Sequence, residues 1–137
     1  WTVGHVHSGA LGWVGLVTMG SMYYLIPRLF GQKQMYSVKA IEIHFWTATI
    51  GIVIYIAAMW IAGVMQGLMW RAINADGTLT YTFVESVNAT YPFYVLRLLG
   101  GLLYFLGMLI MLWNTFKTVT QGRSVEVRIP TLELAHA

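Results

Sequence analysis

The stretch IHFWTATIGIVIYIAAMWIAGVMQGLMW, Ile43 to Trp70, contains no Asp, Glu, Lys or Arg. A helix crossing a bilayer needs about 20 mostly apolar residues, and this stretch exceeds that length. It is apolar all round, the pattern of a helix with no water-facing stripe. Two further stretches read the same way. Val3 to Pro27 carries no charge, and Pro92 to Phe116 carries only Arg97. The whole chain, 137 residues, is 58% hydrophobic and 9% charged, against about 25% charged in an average soluble domain. A soluble globular enzyme and a disordered chain are both excluded. The absence of Cys excludes a disulfide framework, a thiolate zinc site and Cys-linked haem. The net charge of +3 is small and its basic residues are scattered, which argues against nucleic-acid binding. The composition is that of a membrane protein.

The expected fold is therefore an all-α membrane protein with three transmembrane helices, over 3–30, 41–70 and 92–118. Pro27 and the following Arg28 to Gly31 close the first helix. Gly31 to Lys39 form a short polar connection. An outer loop spans 71–91, with a turn at Asp76-Gly77, a short extended piece at Thr78–Val84, and Pro92 as the first residue of the third helix. A polar tail occupies 119–137, with an extended piece at Val125–Ile129 and a frayed end that includes His136. Arg28, Lys33 and Lys39 lie on the first connection, and Lys117, Arg123 and Arg128 on or near the tail. The outer loop has Arg71 against Asp76 and Glu85. The positive-inside rule then places the first connection and the C-terminus in the cytoplasm, and the N-terminal end and loop 71–91 on the periplasmic side. A first residue of Trp rather than Met, and three helices with much uncovered surface, suggest the C-terminal part of a larger polytopic subunit.

Near the start of the first span stand His5 and His7. At about 100° per residue they point some 200° apart, onto opposite faces. They cannot chelate one metal from a regular helix, but each can serve a separate centre, and neutral imidazole is a good axial ligand for haem iron. Spacing alone leaves a second reading open, in which each His meets headgroups or a backbone carbonyl. Ionisable residues inside a membrane favour a functional role. Ser8, Gly9, Gly12 and Gly15 leave one side of this helix nearly bare, suited to a neighbouring helix or a flat macrocycle.

The segment Trp1-Thr2-Val3-Gly4-His5-Val6-His7-Ser8-Gly9-Ala10-Leu11-Gly12-Trp13 resembles the tenth transmembrane helix of the catalytic subunit of haem–copper oxygen reductases, in the form found in the cbb(3)-type cytochrome c oxidases. Tyr23 to Phe30 is similar to that family too. Ile43-His44-Phe45-Trp46, with Gln66-Gly67 and Arg71, resembles the eleventh helix, and the third span then corresponds to the twelfth. The resemblance covers essentially the whole chain and matches it to the C-terminal part of a twelve-helix subunit. It implies that His5 ligates the high-spin haem iron and His7 the low-spin haem iron, both haem b. It also implies that Arg71 contacts haem propionates. Arg97 has no motif behind it; it either snorkels to the outer interface or pairs with a propionate.

The resemblance further implies a terminal oxidase that reduces O2 to water with electrons from cytochrome c and pumps protons. Its copper ligands, the other low-spin ligand and the active-site Tyr all lie outside this chain, so the segment alone is not expected to be active or to bind haem well. Expected partners are the rest of subunit I, membrane-anchored c-type cytochrome subunits, soluble cytochrome c and the lipid of a bacterial inner membrane. Two rivals stand beside this reading. One is a nitric oxide reductase-type subunit of the same superfamily, and the other a non-haem transport or assembly module. Among the remaining residues, His44 reads as a structural hydrogen-bonding residue and Glu42 as interfacial. The Trp and Met residues read mostly as lipid-facing or packing residues, with Trp1 and Trp13 able to flank a haem.

Overall fold

The computed structural model describes residues 1–121; the extended piece expected at Val125–Ile129, His136 and most of the tail lie outside them. The first span starts as α1 (Thr2–His7), passes through a π-helical segment (Ser8–Gly15) and ends as α2 (Leu16–Leu29). Two longer helices follow, α3 (Val38–Arg71) and α4 (Phe83–Gln121). These three spans, of 28, 34 and 39 residues, are long and apolar enough to cross a membrane. At about 1.5 Å per residue each exceeds a hydrocarbon core of about 30 Å. The protein is all-α, and it is a multi-pass membrane protein.

The largest correction concerns the start of α4. The helix begins at Phe83, nine residues before Pro92, because Thr82 and Glu85 form a reciprocal capping box. The Glu85 backbone N–H donates to Thr82 Oγ1 at 3.2 Å, and the Thr82 N–H donates to Glu85 Oε2 at 2.7 Å. Two of the donors that a helix start leaves without partners are thereby satisfied. Ser86 adds a tie across the loop, accepting from Trp70 Nε1 on α3 at 3.2 Å. Pro92 thus lies inside α4, where its missing N–H leaves the Asn88 carbonyl without its helical partner. The loop shrinks from the expected 71–91 to 72–82. Its expected strand is a single antiparallel bridge, Ile73 with Leu79, closed by Thr80 N–H to Ala72 O at 2.9 Å. The turn at Asp76-Gly77 is present, with Gly77 at φ +83°. Asp76 accepts from the Thr78 hydroxyl and N–H, and these bonds hold its carboxyl below the usual range.

The first span ends at Leu29, within the Pro27–Gly31 stretch expected to close it, and the device that closes it is Gly31. At φ +64°, Gly31 lets its own N–H reach Arg28 O (3.2 Å) and the Gln32 N–H reach Pro27 O (2.6 Å). These are the two bonds of a Schellman motif, which needs a residue in the left-handed region. The connection then runs into Ser37, whose Oγ caps α3 by accepting from the Ala40 N–H at 3.1 Å. From α4, Asn114 grips the backbone of the connection in both directions. Its Oδ1 accepts from the Ser37 N–H and its Nδ2 donates to Ser37 O, each at 2.9 Å. One turn on, Thr118 Oγ1 accepts from the Tyr36 N–H at 2.9 Å. Asn114 and Thr118 are fully buried, and Met35 is buried beneath the loop.

The main internal contact is α3 against α4, and it is made backbone to backbone. A Cβ added at Gly100 would stand 2.7 Å from both Gly51 O and Tyr55 N, and one at Gly51 would stand 2.6 Å from Tyr104 N. Lower on the same seam Gly107 lies over Ala48. Small residues at a crossing let helices approach closely enough for dispersion forces to hold them, the main attraction available in lipid. The first span is attached more lightly, chiefly where Gly4 sits against Trp60 and Met59. Elsewhere large apolar side chains point outward around every span, among them Trp13, Leu98, Leu112 and Phe116. Such a surface suits lipid or further helices rather than water.

Candidate haem-ligand helix

His5 and His7 are held by different partners. The His5 ring is exposed and lies parallel to Trp1, centroids 5.5 Å apart and planes 5° apart. The His7 ring is half-buried, 5.4 Å from Tyr55 of α3 and tilted 43° to it. His7 Nδ1 lies 2.7 Å from the carbonyl of Val3, one turn earlier. A carbonyl only accepts, so Nδ1 carries the hydrogen, and in the neutral imidazole Nε2 is then the nitrogen with the lone pair. An imidazole whose second nitrogen is tied to a backbone carbonyl is the usual outer arrangement of a metal-ligating histidine. Among the described residues no three His, Cys, Asp or Glu side chains converge into a metal cage. The donors present are two separate imidazoles, and a single neutral imidazole is a donor type that fits an axial position of haem iron.

The π-helical segment begins directly after His7. Segments with i→i+5 bonding recur at functional sites because they re-aim the residues around them. Here Ser8 Oγ turns back to donate to His5 O at 2.6 Å, and the Tyr104 hydroxyl of α4 donates to Leu11 O at 3.1 Å. The bare side expected over Ser8, Gly9, Gly12 and Gly15 is only partly open. Among the described residues, and apart from the backbone of its own helix, nothing lies within 4 Å of the Cβ position of Gly9, and only Ile56 approaches that of Gly12, at 3.9 Å. Gly15, by contrast, gives its space to the Tyr104 hydroxyl, 2.6 Å from where a Cβ would be.

The two arginines separate. Arg71 is exposed in the last turn of α3, where its charge suits the negative end of the helix dipole. Gly63 of α3 stands against Trp1, so Arg71 lies about 12 Å further along the axis, beyond the start of the first span. Arg97 is half-buried on α4, its guanidinium 5.3 Å from the Tyr94 ring centroid. It lines a groove of about 510 Å³ with Tyr55, Tyr94 and Gly101. Tyr55 thus touches His7 and borders the groove of Arg97, a meeting that the sequence alone does not announce. His44 lies towards the opposite end of the bundle, 2% exposed, with Nδ1 2.7 Å from the Tyr23 hydroxyl. It forms the kind of hydrogen bond expected of it, and Glu42 is exposed.

This geometry meets an independent finding. Residues 1–103 match the family described as cytochrome c and quinol oxidase polypeptide I. The chain belongs to that family. Subunit CcoN1 of the cbb3-type cytochrome c oxidase of Stutzerimonas stutzeri is 57% identical over 92% of this chain and 27% of its own length. A cytochrome c oxidase subunit 1 homolog of Azorhizobium caulinodans is also 57% identical, over 91% of this chain and 23% of its own length. A nitric oxide reductase subunit of Stutzerimonas stutzeri reaches 28%, over 82% of this chain and 24% of its own length. The chain is therefore far more similar to these two oxidase subunits than to that reductase subunit. It spans about a quarter of the length of the oxidase relatives it matches.

Proposed function

We propose that this chain is a stretch of one polytopic domain in the catalytic subunit of a terminal respiratory oxidase. In that subunit His5 ligates the high-spin haem b iron and His7 the low-spin haem b iron. The observation that carries the reading is the lock on His7, with Nδ1 held by the Val3 carbonyl and Nε2 left with the lone pair. It is supported by the unlike surroundings of the two imidazoles, Trp1 for His5 and Tyr55 for His7. Haem bound there would supply electron transfer at one centre and oxygen reduction at the other, with copper held by residues outside this chain. The chain's own contribution is positional. α1 holds two imidazoles two residues apart, Gly9 and Gly12 keep the adjoining surface open, and the Gly4 contact with Trp60 seats the helix on α3.

The same reading makes Arg71 and Arg97 candidate propionate partners, since a guanidinium binds a carboxylate through paired hydrogen bonds. It places the N-terminal end and loop 72–82 on the periplasmic side of a bacterial inner membrane, where cations are sparse in the loops. The partners it implies are the rest of subunit I, c-type cytochrome subunits and a soluble cytochrome c, with proton pumping as the coupled work.

Activity of the purified membrane complex containing this chain is the test. Steady oxygen consumption with reduced cytochrome c, together with a b-type haemochrome spectrum, is the expected result. A complex that consumes nitric oxide and leaves oxygen untouched would assign it to the reductase branch instead.

A further inference from the structure

We propose that Tyr55 is a positioning residue for His7, its ring wedged between α4 and the imidazole so that the imidazole plane keeps one orientation toward a haem iron. The inference rests on the proposed role of His7 as an axial ligand. The hydrogen bond from Nδ1 to Val3 O restrains one edge of the imidazole, and a ring held at one edge still pivots about that bond. The Tyr55 ring, 5.4 Å away and tilted 43°, packs against one side of the imidazole and restricts that pivoting on the side it covers.

Tyr55 is itself held from behind. Its Cδ2 and Cε2 lie 3.5 Å from the Cβ position of Gly101, and its backbone N lies 2.7 Å from that of Gly100. Two consecutive glycines on α4 thus admit the Tyr55 backbone and then its ring, which fixes the start of the side chain against α4 and lays the ring along the groove of Arg97. Outer partners of this kind orient metal ligands and set the properties of the metal. For a low-spin ferric haem, the direction of the axial imidazole planes governs the splitting of the iron d orbitals, which electron paramagnetic resonance reads as g values. The ring, not the hydroxyl, performs this role.

The test uses the complete membrane complex carrying Tyr55→Phe, Tyr55→Leu or His7→Ala. Tyr55→Phe is expected to keep the wild-type low-spin signal. Tyr55→Leu is expected to shift and broaden it while leaving the carbon monoxide difference spectrum of the high-spin haem unchanged. Should Tyr55→Leu fail to assemble, Tyr55→Met, whose flexible chain fills irregular space, is expected to give the same shift. An unchanged low-spin signal in the assembled Leu or Met variant overturns the proposal, as does an equal shift in Tyr55→Phe. Loss of the low-spin signal in His7→Ala alongside an unchanged Tyr55→Leu overturns the role of Tyr55 alone. A low-spin signal that persists in His7→Ala overturns the ligand reading, and the role of Tyr55 with it.

Discussion

Replacing Gly100 with leucine is expected to stop α3 and α4 from closing and to leave little assembled subunit in the membrane. The Cβ alone would stand 2.7 Å from Gly51 O and from Tyr55 N, and both are backbone atoms of α3. No rotamer change relieves a clash with backbone, so the helices must separate along the seam that joins them. Overpacking of a close-packed site costs about 1–3 kcal/mol when side chains can adjust, and here they cannot. Separation also forfeits the dispersion contacts that hold helices together in lipid. A fall of roughly tenfold or more in assembled complex follows, since each 1.4 kcal/mol is about tenfold in an equilibrium. Gly101→Ala is the control, because its Cβ would meet the Tyr55 ring at 3.5 Å, an ordinary contact. The ratio of intact complex to total subunit on native gels, normalised to haem, checks both. Wild-type yield from Gly100→Leu would contradict the packing described.

Asn114→Leu is expected to release the connection between α2 and α3. Asn114 is fully buried; its Oδ1 meets the Ser37 N–H, and its Nδ2 adds a second bond to the Ser37 carbonyl, which as the N-cap carbonyl also takes the first intrahelical bond of α3. Leucine fills similar space but offers neither an acceptor nor a donor. Leaving a buried polar group unmet costs about 1–3 kcal/mol; Ser37 is only half-buried, so the lower end applies, and to its N–H alone, because the carbonyl keeps its helical partner. With the second bond to the carbonyl lost as well, an opening easier by about 1–2 kcal/mol means roughly 5- to 30-fold faster cutting when proteolysis samples the open form. Trypsin acting at Lys33 and Lys39 in detergent reads this directly. Equal cutting of variant and wild type would show that the clamp does not hold the loop.

The three spans are legible because a bilayer imposes one demand, length without charge, and the sequence meets it three times. The turn at Asp76-Gly77 is legible for the local reason that glycine accepts a positive φ at little cost. The start of α4 departs from expectation because proline favours the first turn of a helix, and Pro92 masks a stronger signal upstream. Thr82 and Glu85 stand at the capping-box spacing, and that spacing is visible in the sequence. The π-helical segment leaves no trace, since a helix that is apolar all round has no stripe whose period could betray a change of winding. The same uniformity hides Tyr55, because no face of α3 announces itself as the inner one. The Asn114 clamp joins residues 77 positions apart, and only the folded seam between α3 and α4 brings them together. The histidines are legible as a pair with two directions; the Val3 carbonyl at Nδ1 and the different partner of each ring appear only in the folded chain.

The central claim is that His5 and His7 serve two different haems from one helix, and paired substitutions in the complete complex test it most directly. Optical and paramagnetic spectra would be recorded for His5→Ala and His7→Ala at equal content of assembled subunit. The account predicts that His5→Ala loses the carbon monoxide-binding high-spin signal and keeps the low-spin one, and that His7→Ala does the reverse. Spectra unchanged from wild type, or the same haem lost in both variants, would contradict it.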